Sequence, residues 1–288
     1  MKEHSAKESI ARRFDRVAAT YGRVGPRFFA HFGCRLVELA QISGGADVLD
    51  VATGRGAILY PAAGRVGPRG RVVGIDLSAH MVRETAAEAE RLGLRNVSVY
   101  RMDAERLTLP DASFDAVMCG LSIFFFPHPR LALREMNRVL RPGGRVGITT
   151  FARDSEHLRW AVELLDAYRS APETQVDKGG KDSSSPELDT PFGLAAALSG
   201  AGFEEVQVIK EEANFAYQDE EEVWASIRGQ AADSVLQKMV QTTRERLKAD
   251  VFSSVQVFRR PDGIYPPPFR ILFALGTKPA HLEEPGER

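Results

Sequence analysis

Cysteine is almost missing from this chain of 288 residues: only Cys34 and Cys119 occur, at no metal-ligand spacing. That argues against a disulfide-built scaffold, leaves no metal site to expect, and fits a reducing cytoplasm. A surplus of one charge is missing too. The 38 Lys and Arg residues against 39 Asp and Glu give a net charge of −1, so nothing draws the chain electrostatically onto nucleic acid. No apolar run approaches the roughly 20 residues that a membrane span requires. The start, Met1 to Glu8, is polar and mixed in charge, without the apolar centre of a signal peptide. No Gly-Lys-Ser/Thr triplet occurs, which excludes a P-loop. What is present, 43% apolar residues, suits one large domain or one domain with a substantial insertion.

The patterning alternates. Ile10, Phe14 and Val17 predict an amphipathic helix over 5–20, and Phe28, Phe29, Phe32, Leu36 and Leu39 a second over 27–39. Strands are expected at 47–52, 71–77, 97–102, 113–120 and 145–151. Helices are expected between them, one opened by Ser78 as N-cap and another stopped by Pro142-Gly143-Gly144. Such alternation implies a mostly parallel sheet with right-handed crossovers. Beyond 151 the reading is a helix over 155–167, a polar loop over 172–190, a short helix over 191–199 and a strand over 204–212. A helical insertion over 220–247 and a last strand over 269–277 follow, then a frayed tail after Pro279.

The stretch Asp50-Val-Ala-Thr-Gly-Arg-Gly56 carries the most chemistry. An apolar strand end, a glycine turn and a helix start follow one another there. Gly54 and Gly56 have no Cβ, so bare backbone can approach a ligand, and the helix N-terminus behind offers unpaired N–H groups. Asp76 closes the next apolar run, roughly 20 residues on, where a carboxylate is placed to accept from a ribose. A nucleoside cofactor is implied. The dinucleotide fingerprint fits poorly, because Leu59 stands where its third glycine belongs.

Five motifs in this order resemble the class I S-adenosylmethionine-dependent methyltransferases. They are Val48 to Gly56, Gly74-Ile-Asp-Leu-Ser78 with Met81, Asp103-Ala-Glu105, Phe114-Asp-Ala-Val117 and Val139 to Arg145. The chain is most similar to the small-molecule subgroup of ubiquinone and menaquinone biosynthesis. The resemblance is close over 45–151 and looser over 10–277. It implies an α/β, Rossmann-like fold: a seven-stranded, mostly parallel sheet with an antiparallel last strand, a helical N-terminal lid and cap insertions. The divisions expected are a lid at 1–42, a cofactor-binding core at 43–151 and a cap insertion at 152–198. The core sheet would end with 199–212 and 269–278, around a helical insertion at 213–268.

The resemblance also implies roles. Asp50, Ala52, Thr53, Gly54 and Gly56 would hold the methionine end of S-adenosylmethionine. Asp76 would take the ribose hydroxyls, Leu77 and Met81 the adenine face, and Asp103 with Ala104 the adenine amino group. Cys119, Gly120 and Leu121 would lie under the sulfonium. Tyr21 would close over the cofactor; Tyr21 and His157 are the candidates for a part in catalysis. Phe124, Phe125, Phe126, His128 and Trp160 are candidates to meet the acceptor, although a Phe run is as often core and His128 a simple helix-start residue. The expected reaction is methyl transfer to an apolar small molecule, releasing S-adenosylhomocysteine. The N-terminal helix ending at Tyr21 is also similar to that of actinobacterial teleocidin-type indole–terpenoid C-methyltransferases, which implies methylation of a prenyl group coupled to cyclisation. A nicotinamide-dependent oxidoreductase and a non-catalytic cofactor-binding subunit are the alternatives. The N-terminal helix is a candidate contact for a homo-oligomer.

Overall fold

A computed structural model describes residues 2–169, 187–228, 236–237 and 239–280. Runs of valine, leucine and isoleucine form the strands β1 (Asp47–Val51), β2 (Arg71–Asp76), β3 (Val97–Arg101), β4 (Phe114–Gly120) and β5 (Leu140–Phe151). Later come β6 (Glu204–Ala213), a small hairpin of β7 (Arg259–Arg260) and β8 (Gly263–Ile264), and β9 (Phe269–Thr277). The main sheet has the order β3-β2-β1-β4-β5-β9-β6. Strands β1 to β5 run parallel, and β9 is antiparallel to both β5 and β6. The seven-stranded sheet with an antiparallel last strand is the one anticipated. Strand order reverses between β1 and β4, and ligands bind such sheets outside the carboxyl ends near that reversal.

The helices are α1 (Lys2–Val17), α2 (Phe28–Leu39), α3 (Leu59–Val66), α4 (Ala79–Arg91), α5 (Pro129–Val139), α6 (Glu156–Arg169), α7 (Pro191–Ser199), α8 (Glu220–Arg228) and α9 (Gln241–Ser254). Two layers of core cover the sheet. Phe32, Leu36, Leu59 and Ala62 of α2 and α3 bury one face; Leu133, Met136, Leu194 and Leu198 of α5 and α7 bury the other. A separate cluster joins α6, α8 and α9 through Trp160, Leu164, Trp224, Leu247 and Val251.

Three expectations change. Helix α5 ends at Val139, and Pro142-Gly143-Gly144 lies inside β5, where its register against β4 shifts, with Gly143 at φ +75°. Helix α7, expected in the cap, packs on the core sheet because Leu194 and Leu198 carry its apolar face there. The insertion's last helix runs on past Leu247 to Ser254. Most of the polar loop read at 172–190 and of the tail lies outside the described residues. Among the described residues no helix is long and apolar enough to cross a membrane.

Candidate functional site

The carboxyl ends of β1 to β4 open into a cavity of about 860 Å³. Its floor is the turn after β1. There Ala52, Gly54 and Gly56 all take left-handed backbone, at φ +55°, +50° and +81°. A Cβ on Gly54 would have only a Tyr21 ring carbon near it, at 4.0 Å, so the turn presents bare backbone to the cavity. At Gly56 a Cβ would lie 2.5 Å from the Tyr60 ring, so glycine is required there for packing. Leu121, just past β4, is also left-handed, at φ +46°, and its N–H donates to Thr149 Oγ1 at 3.0 Å. Left-handed backbone at non-glycine residues costs on the order of 1–3 kcal/mol and clusters at functional sites. Here Ala52 and Leu121 both line the cavity.

Asp76 ends β2. Its Oδ2 accepts the Gly54 N–H at 2.9 Å and its Oδ1 the Ser78 N–H at 2.8 Å. A carboxylate has about four lone-pair sites, so these bonds leave it acceptor capacity, and Asp76 lines the cavity. Burial pushes its pKa up to about 6, against the pull of these two amides. Asp50 lies deeper and does not line the main cavity. It accepts the Thr53 hydroxyl at 2.6 Å and borders a void of about 30 Å³ behind the turn. Burial raises its pKa to about 7, although the Thr53 bond and the first amide of α3, at Leu59, lower it.

Two elements cover the cavity. Helix α2 lies on the glycine turn: a Cβ on Gly33 would come within 2.2 Å of the Ala57 carbonyl oxygen. Helix α1 is pinned over the ends of β2 and β3. Lys7 Nζ sits 2.8 Å from Asp103 Oδ2 and 2.5 Å from Glu105 Oε2, and the Glu105 side chain is only 3% exposed. Further along α1, Asp15 accepts the Ser78 hydroxyl at 2.6 Å and the His80 N–H at 3.0 Å, at the N-terminus of α4. Burial alone would raise the Asp15 carboxyl, but these bonds outweigh it and hold it below the usual range. Ser78 is the N-cap read from the sequence, accepting the Met81 N–H at 3.0 Å. Tyr21 follows α1, edge-on to Phe14 and leaning on Phe29, with ring centres 5.8 and 4.9 Å away. Burial, then the charge of Asp76, pushes its hydroxyl well above the ordinary tyrosine value, so it stays protonated.

The structure brings together Tyr21, Ala52, Thr53, Gly54, Gly56, Asp76, Leu77, Met81, Asp103, Ala104, Gly120, Leu121, Phe125 and Phe126 around the cavity. It leaves other candidates outside. Cys119 is buried in the sheet 3.1 Å from Ser122 Oγ; burial pushes its thiol up to about 12. Phe124 is 40% exposed and packs on Phe125 and Phe151. His128 precedes α5, with its N–H donating to Glu105 Oε1 at 2.6 Å. His157 is not among the residues lining the cavity. It stacks on Phe269 at 3.7 Å, its Nδ1 binds the Pro267 carbonyl at 3.1 Å, and burial lowers its pKa to about 4. Trp160 packs on the cluster that joins α6, α8 and α9 instead of lining the cavity.

Sequence reasoning missed Lys7 and Gly33, named Leu121 without its left-handed backbone, and quoted Glu105 only as part of its motif. Gly33 did carry a signal, since glycine inside an aromatic amphipathic helix costs roughly 1 kcal/mol and invites a packing reason.

The sequence pattern of the methyltransferase domain matches residues 48–144. A nocamycin O-methyltransferase of Saccharothrix syringae is 39% identical over 208 residues, covering 69% of this chain and 74% of that protein. The aklanonic acid methyltransferase DauC of Streptomyces sp. (strain C5) is 42% identical over 150 residues, 52% of this chain and 68% of that one. The ubiquinone/menaquinone biosynthesis C-methyltransferase UbiE of Pseudomonas savastanoi pv. phaseolicola is 33% identical over 177 residues, 59% of this chain and 67% of its own. Among solved structures, the YcgJ protein of Bacillus subtilis superposes with a TM-score of 0.56 at 20% identity, over 86% of this chain and 99% of that one. Strand order, the turn after β1, the acid ending β2 and these relatives agree: the chain belongs to the class I S-adenosylmethionine-dependent methyltransferases, and it acts on small molecules.

Proposed function

We propose that this enzyme methylates an acidic oxygen, a phenol or a carboxyl group, of an apolar polyketide-like molecule of secondary metabolism. The observation that carries the cofactor side is Asp76, held by the Gly54 amide of the turn and the Ser78 amide at the start of α4 while it lines the cavity. Bound S-adenosylmethionine supplies a methyl group on a positively charged sulfur, open to in-line displacement. Ala52, Thr53, Gly54 and Gly56 hold the methionine end with backbone, and Asp50 acts behind them by fixing Thr53. Asp76 accepts from the ribose, Leu77 and Met81 pack on the adenine, and Asp103 with Ala104 receives its amino group. Gly120 and Leu121 border the reacting centre, with Cys119 as packing beneath. Tyr21 covers the centre with a neutral ring, whose face attracts a cation by roughly 0.5–2 kcal/mol.

No histidine lines the cavity among the described residues. An acidic oxygen suits such a site because it loses its proton without a strong base, and alignment supplies the rest of the rate. One relative described above is named an O-methyltransferase, which supports oxygen, and another a methyltransferase of aklanonic acid, which supports an acidic acceptor. Methylation of a prenylated indole with coupled cyclisation finds no such support.

The test is calorimetric titration with S-adenosylmethionine and separately with NADH, followed by an acceptor screen for the mass gain of one methyl. Micromolar binding of the first alone, with the added methyl found on oxygen, is expected. Transfer to carbon would overturn the oxygen assignment. Absence of S-adenosylmethionine binding by folded protein would overturn the whole reading.

A further inference from the structure

Eight aromatic side chains close a continuous circuit at the carboxyl edge of the sheet. Phe14 of α1 meets Tyr21 at 5.8 Å between ring centres, and Tyr21 meets Phe29 of α2 at 4.9 Å. Phe29 leans on Phe28 at 4.0 Å, and Phe28 stacks on Phe269, the first residue of β9, at 4.6 Å. Phe269 reaches Phe151 at the end of β5, 6.3 Å away, and Phe151 reaches Phe124 at 5.7 Å. Phe124 meets Phe125 at 4.5 Å, and Phe125 returns to Phe14 at 5.2 Å.

The circuit is graded in burial. Phe28 and Phe269 are 2% and 4% exposed and anchor it, whereas Phe124 is 40% exposed at its outer edge. The other five rings are half-buried, and four of them, Phe14, Tyr21, Phe29 and Phe125, line the main cavity. The circuit therefore borders both solvent and cavity. Strand β4, which ends at Gly120, lies beside β5 in the sheet with Gly120 paired to Thr149, so Phe151 follows by two residues the register partner of a residue assigned to the reacting centre. A pocket for saturated chains needs only aliphatic side chains. Aromatic rings add offset-stacked and edge-to-face attraction that only another π-system returns.

We propose that this aromatic circuit selects a planar, fused-ring acceptor, with Phe124 and Phe151 as the residues that read its ring system. The inference rests on the methyltransferase reading for its choice of ligand. Its test uses binding, with two probes of one carbon skeleton: 2-naphthol and decahydro-2-naphthol. Each is titrated by calorimetry into the protein alone and into protein saturated with S-adenosylhomocysteine. The flat probe is expected to bind at least fivefold tighter, although the saturated one is more hydrophobic. Phe124→Leu and Phe151→Leu are each expected to narrow that ratio at least threefold while S-adenosylhomocysteine affinity stays within twofold. Phe124 is exposed enough for its variant to fold even if Phe151→Leu does not. Equal binding of the two probes, or an unchanged ratio in a folded Phe124→Leu protein, overturns the proposal. A fivefold probe preference without any S-adenosylhomocysteine binding would sustain aromatic selection and count against the methyl-donor reading alone.

Discussion

Replacing Asp76 by Asn separates ligand binding from folding. In the ligand-free protein the carboxylate holds the Gly54 and Ser78 amides at 2.9 and 2.8 Å and is 9% exposed. Burial raises its pKa from 3.8 to about 6. Each unit is worth about 1.4 kcal/mol, so keeping it ionised at neutral pH costs the fold on the order of 3 kcal/mol. Asn removes that cost. It also puts an NH2 group where one oxygen met a backbone N–H, and the buried amide left without an acceptor costs about 1–3 kcal/mol. The two effects nearly cancel, so the ligand-free melting temperature should move by only a few degrees. Binding has no such compensation. Two ribose hydroxyls lose their charged acceptor, about 3–6 kcal/mol together, or roughly a hundredfold to ten-thousandfold in Kd. Calorimetric titration with S-adenosylhomocysteine, beside thermal melts without ligand, measures both. A Kd within threefold of the unsubstituted protein would refute the assignment of Asp76 to the ribose.

Other perturbations have equally definite outcomes. Lys7→Met removes the ammonium that joins α1 to Asp103 and Glu105; hydrogen exchange of the α1 amides should accelerate at least tenfold while β1 and β4 keep their protection, and unchanged exchange would rule out the clasp. Gly33→Ala drives a methyl group into the Ala57 carbonyl, so denaturant titration should show a loss of about 1–3 kcal/mol; an undiminished midpoint would mean that α2 can lift off the turn at no cost. Asp50 and Asp76 have folded pKa values of about 7 and about 6, above the unfolded 3.8. The folded state therefore takes up protons first as pH falls, and stability from these two groups rises from pH 8 toward pH 5. Melts at pH 8 and pH 5.5 should show the higher value at pH 5.5. Over the same range cofactor affinity should fall, approaching tenfold per pH unit below about pH 6, because only ionised Asp76 accepts both hydroxyls; a flat binding profile from pH 7.5 to pH 5 contradicts that.

What the sequence made legible was whatever repeats locally. Period-two and continuous apolar runs, punctuated by glycine and proline, place α7 at Pro191–Ser199 and β9 at Phe269–Thr277 as observed, and Ser78 as a cap. The cavity floor was legible for the same reason, since Asp50 to Gly56 is one continuous segment. Contacts across the chain were not. Lys7 and Asp103 are 96 residues apart, and nothing in the spacing around either one marks the other. His157 and Trp160 follow β5 closely, as acceptor residues would. Their helix instead joins α8 and α9, leaving His157 stacked against Phe269. The Pro-Gly-Gly segment after α5 reads as a helix stop, but it is taken into β5, skipped in the register against β4 and bonded to Lys278 just past β9, a tertiary choice that outweighs local propensity.

The long excursion between β6 and β9 leaves from Ala213 and returns at Phe269, and these two residues are register partners in adjacent antiparallel strands. Topologically, residues 214–268 are the loop of a β-hairpin. Lengthening such a loop is inexpensive, since each doubling costs only about 0.6 kcal/mol of closure entropy. The strands carry the register by themselves, so descendants of this chain can graft, lengthen or trade the segment while the sheet and its glycine turn stay unaltered. The segment can thus diverge between relatives whose residues 48–144 still align, which is the portion that the methyltransferase pattern matches.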